Sequence, residues 1–359
     1  MTARQPRLAF SGRPISLLLA LCLSHGVHAS AAGENSAAEQ LLAARGLTRQ
    51  GSQWLTADEV RLIKLLNRLP ELERAFNIPN RRVEQGLAHQ AALRRQIEQI
   101  KSEIGELQAQ IDSGVLDRSR RERAVELRGS RVAARDELRD QLIEEAELEQ
   151  NPVVKEVVLA RCNAYNELSL AVLSVLRTIE HLDADYSELE AAEDVQQALS
   201  TIGPRAGLGP ARSYERERRR AEQLAGTLLG DGVPIYRDNG QYRFSALVNE
   251  TTAVNFSYDA MADSAVVPAS TLAAAGIEID PDAARRTISI GKRRPIQARV
   301  VRVSQLRLGE LLLSDIEVLA TPPEAEAWGA LLGPKSLSGV ELDLHVDRLW
   351  LQVVTRDGQ

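Results

Sequence analysis

Residues 254–268 read Val254-Asn255-Phe256-Ser257-Tyr258-Asp259-Ala260-Met261-Ala262-Asp263-Ser264-Ala265-Val266-Val267-Pro268. Val254, Phe256 and Tyr258 recur at every second position, the period of a half-buried strand. That strand delivers Asp259 into a turn of small residues. A second apolar strand, 265–267, follows at once and stops at Pro268, which has no N–H to give to a ladder. An acid placed this way has two readings. It is a turn residue hydrogen-bonded to nearby backbone amides, or it is a carboxylate presented for chemistry.

The surrounding stretches extend the same pattern. Residues 269–277, Ala-Ser-Thr-Leu-Ala-Ala-Ala-Gly-Ile, predict a short helix ending at Gly276. Residues 288–290 and 296–303 alternate as strands around Gly291-Lys292-Arg293-Arg294, and 303–319 predict a hairpin containing Gly309. Leu331-Leu332-Gly333-Pro334-Lys335-Ser336-Leu337 predicts an apolar run, a glycine turn and a short helix, and residues 342–346 and 349–353 a last hairpin. Upstream, Asp238-Asn239-Gly240 marks the first hairpin of this region.

In order and spacing these elements resemble the retropepsin-like aspartic peptidases, which carry their acid in an apolar-apolar-Asp-Thr/Ser-Gly run ending near a proline. Asp259 falls on the acid and Pro268 on the proline without gaps, while Ala260 and Met261 stand where the family has Thr or Ser and Gly. The resemblance covers residues 233–354. It implies a closed, mostly antiparallel β barrel with Asp259 catalytic, Ala260, Met261 and Ala262 forming the acid turn, Gly291 and Lys292 in a flap, and Leu332 and Gly333 in the second loop. Chemistry of this kind needs two carboxylates sharing one proton, since like charges that close cannot both ionise. One such loop per chain implies a homodimer acting on a peptide or protein substrate, with no metal or cofactor. Ala260 lacks the hydroxyl that braces the opposite loop, and Met261 is strained by ~1–3 kcal/mol if its position needs positive φ. A second register, Asp263-Ser264-Ala265, restores the hydroxyl but shortens the distance to Pro268. Two functions follow: an exported aspartic endopeptidase, or a catalytically inactive retropepsin-like binding or scaffold protein on a coiled-coil arm.

The rest of the 359-residue chain sets the context. With 44% hydrophobic residues it is long enough for two or three units, and its formal charge of -6 argues against a general nucleic-acid binder. Residues 1–29 read as a signal peptide: Arg4, Arg7 and Arg13, a short apolar run over 15–23, then Val27-His28-Ala29 as a small-residue cleavage site. No later stretch reaches membrane-spanning length, so the expectation is a periplasmic or extracellular protein. Cys162 is left alone in the mature chain and reads as a small apolar core residue. His89, His181 and His345 are scattered without metal-ligand spacing.

Residues 38–79 form a short module in which Thr56 and Glu59 have capping-box spacing. Similar Gly-Leu, Gly-Ser and aromatic segments precede coiled coils in exported bacterial proteins with retropepsin-like domains. Residues 80–200 are helical. Leu93, Ile97, Ile100, Ile104, Leu107 and Ile111 step by four and three, a coiled-coil seam broken at Asp112-Ser113-Gly114. A second helix (117–149) carries Leu127, Ala134, Leu138 and Leu142 on one face, and Asn151-Pro152 ends it. A third, more apolar helix follows. Whether the seam closes within one chain or between two is open at this point, because both have the same period. Residues 201–232 read as a Gly/Pro linker and a short charged helix. The expected whole is a multidomain α and β protein: a long-helix, coiled-coil region followed by the retropepsin-like closed β barrel.

Overall fold

The computed structural model describes residues 25–148, 152–230, 232–289 and 295–355. Its helices in chain order are α1 (His25–Ala44), α2 (Ala57–Asp112), α3 (Arg118–Leu148), α4 (Pro152–Ala191), α5 (Glu193–Ile202), α6 (Tyr214–Leu228) and α7 (Ala269–Ala274). Three short strands precede the large sheet: β1 (Leu47–Gln50), β2 (Gln53–Thr56) and β3 (Gly207–Leu208). The sheet comprises β4 (Gly232–Asp238), β5 (Gln241–Val248), β6 (Thr252–Tyr258), β7 (Ala265–Pro268), β8 (Arg285–Ile288), β9 (Ile296–Leu308), β10 (Leu311–Thr321), β11 (Ala330–Leu332), β12 (Val340–His345) and β13 (Trp350–Thr355). Among the described residues no helix is long and apolar enough to cross a membrane. The signal-peptide reading falls largely on residues 1–24, outside the described residues.

The chain divides into two compact units. One joins the described residues up to Ala57 to Ala184–Ala211; the other joins Asp58–Asp183 to Arg212–Gln359. In the first, β1 and β2 form an antiparallel hairpin turning at Gly51, whose φ of 63° suits glycine. β3 then pairs with β2 in parallel. β3 lies inside the stretch read as a linker: composition marks turn residues, but Gly207 and Gly209 donate their N–H groups to Ser52 and Trp54 carbonyls at 3.0 and 2.9 Å. Leu42, Leu47, Trp54, Val195 and Ala198 fill this unit's core.

In the second unit α2 is continuous from Ala57, where the Thr56 and Glu59 spacing places a helix start, and runs across Pro70 and Pro79 into the heptad stretch beginning at residue 80. α3 runs back along it, with Arg121 Nη2 donating to the Ile111 carbonyl at 2.9 Å and Arg131 paired with Glu103 at 2.9 Å. Leu93 and Ile97 of the expected seam are buried. On α3, Leu127 of the expected face is 46% exposed, whereas Ala124 is buried. α4 buries the expected face, Val158, Cys162, Tyr165, Leu168, Val172, Ile179 and Leu182.

The ten strands run in the order β12-β13-β4-β5-β6-β11-β7-β10-β9-β8, with β5 paired additionally to β9. All of these pairings are antiparallel except β6–β11 and β7–β10. Hence the second unit carries a large mixed sheet in the region expected to be a closed barrel. Two turns explain its hairpins. Asn239 and Gly240 both have positive φ in the β4–β5 turn, the type I′ geometry expected from Asn-Gly. The β5–β6 turn uses Asn249 and Glu250, also left-handed. Glu250 accepts that conformation while its carboxylate binds Arg307 at 2.6 Å and Arg177 at 3.1 Å. Phe244 and Phe256, opposite each other across β5 and β6, stack at 6.0 Å and are fully buried.

Polar side chains of α4 fix it on the sheet. The Arg161 guanidinium, 2% exposed, donates to the Leu349 carbonyl at 2.7 Å and the Ile235 carbonyl at 3.3 Å. Asn166 donates to Ser245 Oγ at 2.8 Å, and that hydroxyl donates to Asn255 Oδ1 at 2.6 Å. Beside them burial raises the Cys162 thiol to about 11, with Arg161 opposing the shift. A raised folded pKa stabilises the fold below the thiol's ordinary pKa, and that contribution is lost as pH climbs toward the folded value. Cys162 should therefore stay unlabelled by iodoacetamide at pH 8 in the native protein and react fully in urea, read by mass mapping of its peptide. Rapid native labelling would contradict the packing of α4.

Candidate functional site

The site begins where β6 stops. Tyr258 is its last residue, and the Asp259 N–H still reaches the neighbouring strand β11, donating to the Leu332 carbonyl at 3.1 Å. The chain then turns within four residues, with the Ala262 N–H donating to the Asp259 carbonyl at 3.1 Å. Asp259 Oδ1 accepts the Met261 N–H at 2.9 Å. This side-chain-to-backbone bond two residues on fixes the carboxylate's direction.

β7 does not return beside β6. β11 lies between them, parallel to β6 over Ala330–Leu332 and meeting β7 antiparallel at Leu331 and Val266. The acid turn therefore arches over the end of β11, and residues following β11 pack directly against it. Gly333 is the point of closest approach. A Cβ there would stand 2.0 Å from the Asp259 carbonyl oxygen and 3.1 Å from Ala262 Cβ, so only glycine fits. Ser336 Oγ accepts the Gly333 N–H at 3.1 Å and donates to the Ala262 carbonyl at 3.3 Å, joining the two loops through one hydroxyl. At the rim Lys335 and Asp263 are 3.8 Å apart and exposed, a contact worth little in water.

Asp259, Ala260, Met261, Ala262, Leu332 and Gly333 thus form one cluster, with Asp259 half-buried and Ala260 exposed. Met261 is 76% exposed. The strain considered for Met261 does not arise. The positive-φ residues other than glycine are Asn239, Asn249, Glu250, Asp315 and Leu349 among the described residues, and Met261 is not one of them. What this turn needs at position 261 is a backbone N–H, which any residue but proline supplies. The flap residues Gly291 and Lys292 lie outside the described residues; the strands on either side, β8 and β9, pair from Arg285↔Arg299 to Ile288↔Ile296. The short helix expected after Gly333 is absent, and residues 334–339 form turns held by the Ser336 N–H to the Gly333 carbonyl at 3.0 Å. Sequence reasoning gave Ser336 no role. The one signal was a hydroxyl residue closing a Gly-Pro-Lys-Ser turn. Among the described residues no group of three or more His, Cys, Asp or Glu is placed to hold a metal ion.

No protein-family model matches this chain. No curated protein matches it either. Among solved structures it is similar to a retropepsin-like aspartic protease from Rickettsia conorii, at 15% identity and a TM-score of 0.28, over 34% of this chain and 87% of that one. That is a weak structural neighbour.

Gly333→Ala should cost about 1–3 kcal/mol, as overpacking against fixed backbone does, measured by urea denaturation. An unchanged unfolding midpoint would disprove the close approach of Gly333 to Asp259.

Proposed function

We propose that the second unit is a retropepsin-like aspartic endopeptidase domain of an exported protein, its barrel closed through the β5–β9 pairing. It acts as a homodimer in which Asp259 of each copy faces the other. The observation that carries this reading is the Asp259 carboxylate held by the Met261 amide above Gly333. The acid is oriented by backbone, so the exchange of Thr/Ser-Gly for Ala260-Met261 leaves its orientation intact. In the dimer the two carboxylates share one proton. One, ionised, takes a proton from water as it attacks the scissile carbonyl, and the other donates a hydrogen bond to the developing oxyanion. A non-catalytic, peptide-binding role is the second reading, and the missing hydroxyl at Ala260 favours it.

Asp259→Asn separates the two. It keeps the shape of the side chain and its acceptor for the Met261 N–H while removing the charge. For a peptidase, cleavage of a denatured protein substrate at mildly acidic pH should fall by at least about a thousandfold, with the melting temperature kept or raised as facing carboxylates are relieved. Ala260→Thr should raise activity, whereas Met261→Gly should change it little because the amide is retained. Equal cleavage by the Asp259→Asn protein would eliminate Asp259 as the catalytic acid. Absence of cleavage by both, with peptide binding retained, would establish the non-catalytic reading.

A further inference from the structure

We propose that the cavity bounded by α2, α4 and the β4–β5 hairpin is a binding site for a single-chain alkyl carboxylate, remote in sequence from the acid turn and independent of it. The cavity has a volume of about 240 Å³. Its walls are apolar: Val83 and Leu87 from α2, Val157 and Val158 from α4, Tyr236 and Tyr242 from the hairpin. Gly86 forms part of the α2 wall. A glycine inside a helix costs about 1 kcal/mol relative to alanine, and no atom lies within 4 Å of the place a Cβ would take, so close packing does not require it. Gly105 and Gly129 are equally open along α2 and α3, but Gly86 is the one that borders the cavity. Any side chain there would begin to fill it.

The charge around the cavity has one sign. Among the described residues Arg82, Lys155 and Arg237 line it, and no carboxylate does. Two acids next to lining residues in the chain are engaged elsewhere. Asp238 takes the Lys155 ammonium at 2.6 Å, which holds its carboxyl below the ordinary range, and lies 3.5 Å from Arg243. Glu84 accepts the Asn80 amide at 2.9 Å. Arg237 lies over the Tyr242 ring at 5.7 Å, which leaves the edges of its guanidinium free to donate. Arg82 makes no ion pair among the described residues. An apolar pocket with a few convergent cations selects an apolar body with an anionic head. A cavity of about 240 Å³ has room for one short alkyl chain.

Isothermal titration of the full chain with octanoate, octanol and octylammonium tests the proposal. Octanoate should bind saturably at one site and about tenfold or more tighter than octylammonium, as a charge-assisted hydrogen bond provides. The Arg82→Gln, Arg237→Gln double variant should bring octanoate down to the level of octanol. Gly86→Leu should keep the helical circular dichroism, raise the melting temperature and lose octanoate binding. Absence of saturable octanoate binding would overturn the proposal, as would equal affinity for octylammonium, or undiminished binding by the Gly86→Leu protein.

Discussion

The passage of β11 between β6 and β7 is the constraint on which the site depends. A chain that turned at Asp259 and paired β7 directly with β6 would make an ordinary hairpin, with the acid exposed at its tip. Insertion of Ala330–Leu332 separates the two strands, makes the turn an arch, and brings Gly333 under the Asp259 carbonyl. Three interactions then converge on five residues. The Asp259 amide is taken by Leu332, the carboxylate by Met261, and the Ala262 carbonyl by Ser336. Each is individually modest, about 0.5–1.5 kcal/mol net for the neutral pairs. Together they over-determine where one carboxylate points, which is the preorganisation an acid needs to do chemistry or to hold a ligand.

A second set of interactions fixes the sheet from outside. α4 lies on strands β4 and β5 with Arg161 and Asn166 buried among apolar neighbours. A buried guanidinium is costly, and here its Nη2 is met by two backbone carbonyls while Nε has no hydrogen-bond partner among the described residues. Its value is in specificity more than in energy. A purely apolar helix face can slide along a sheet, whereas Arg161 fits only where the Leu349 and Ile235 carbonyls converge. The same helix continues into one wall of the cationic, apolar cavity, so the element that holds the sheet in register also shapes a second candidate ligand site.

Much of this was legible in the chain. The period-2 strands around Asp259, the Asn-Gly turn at 239–240 and the apolar face of α4 recur in the structure, and of the step of four and three along α2 Leu93 and Ile97 are buried. Each depends on neighbours a few residues away, where spacing alone sets which side chains share a face. Where reading failed, a distant partner decided. Gly207 and Leu208 became a strand because β2 offered an open edge. The residues after Gly333 stayed in turns because Ser336 was drawn to Ala262, 74 positions away.

The sequence by itself determined that an acid stands at the end of a strand in a β-rich region carried by long helices. Local periodicity and turn chemistry are sufficient for that. It could not determine what Met261 costs or which glycine is obligatory. Both questions turn on φ and on an approach between segments 74 residues apart, and no pattern along the chain encodes either. The tertiary structure answered them, moving the need for glycine from position 261 to Gly333, where two backbones meet too closely for a Cβ.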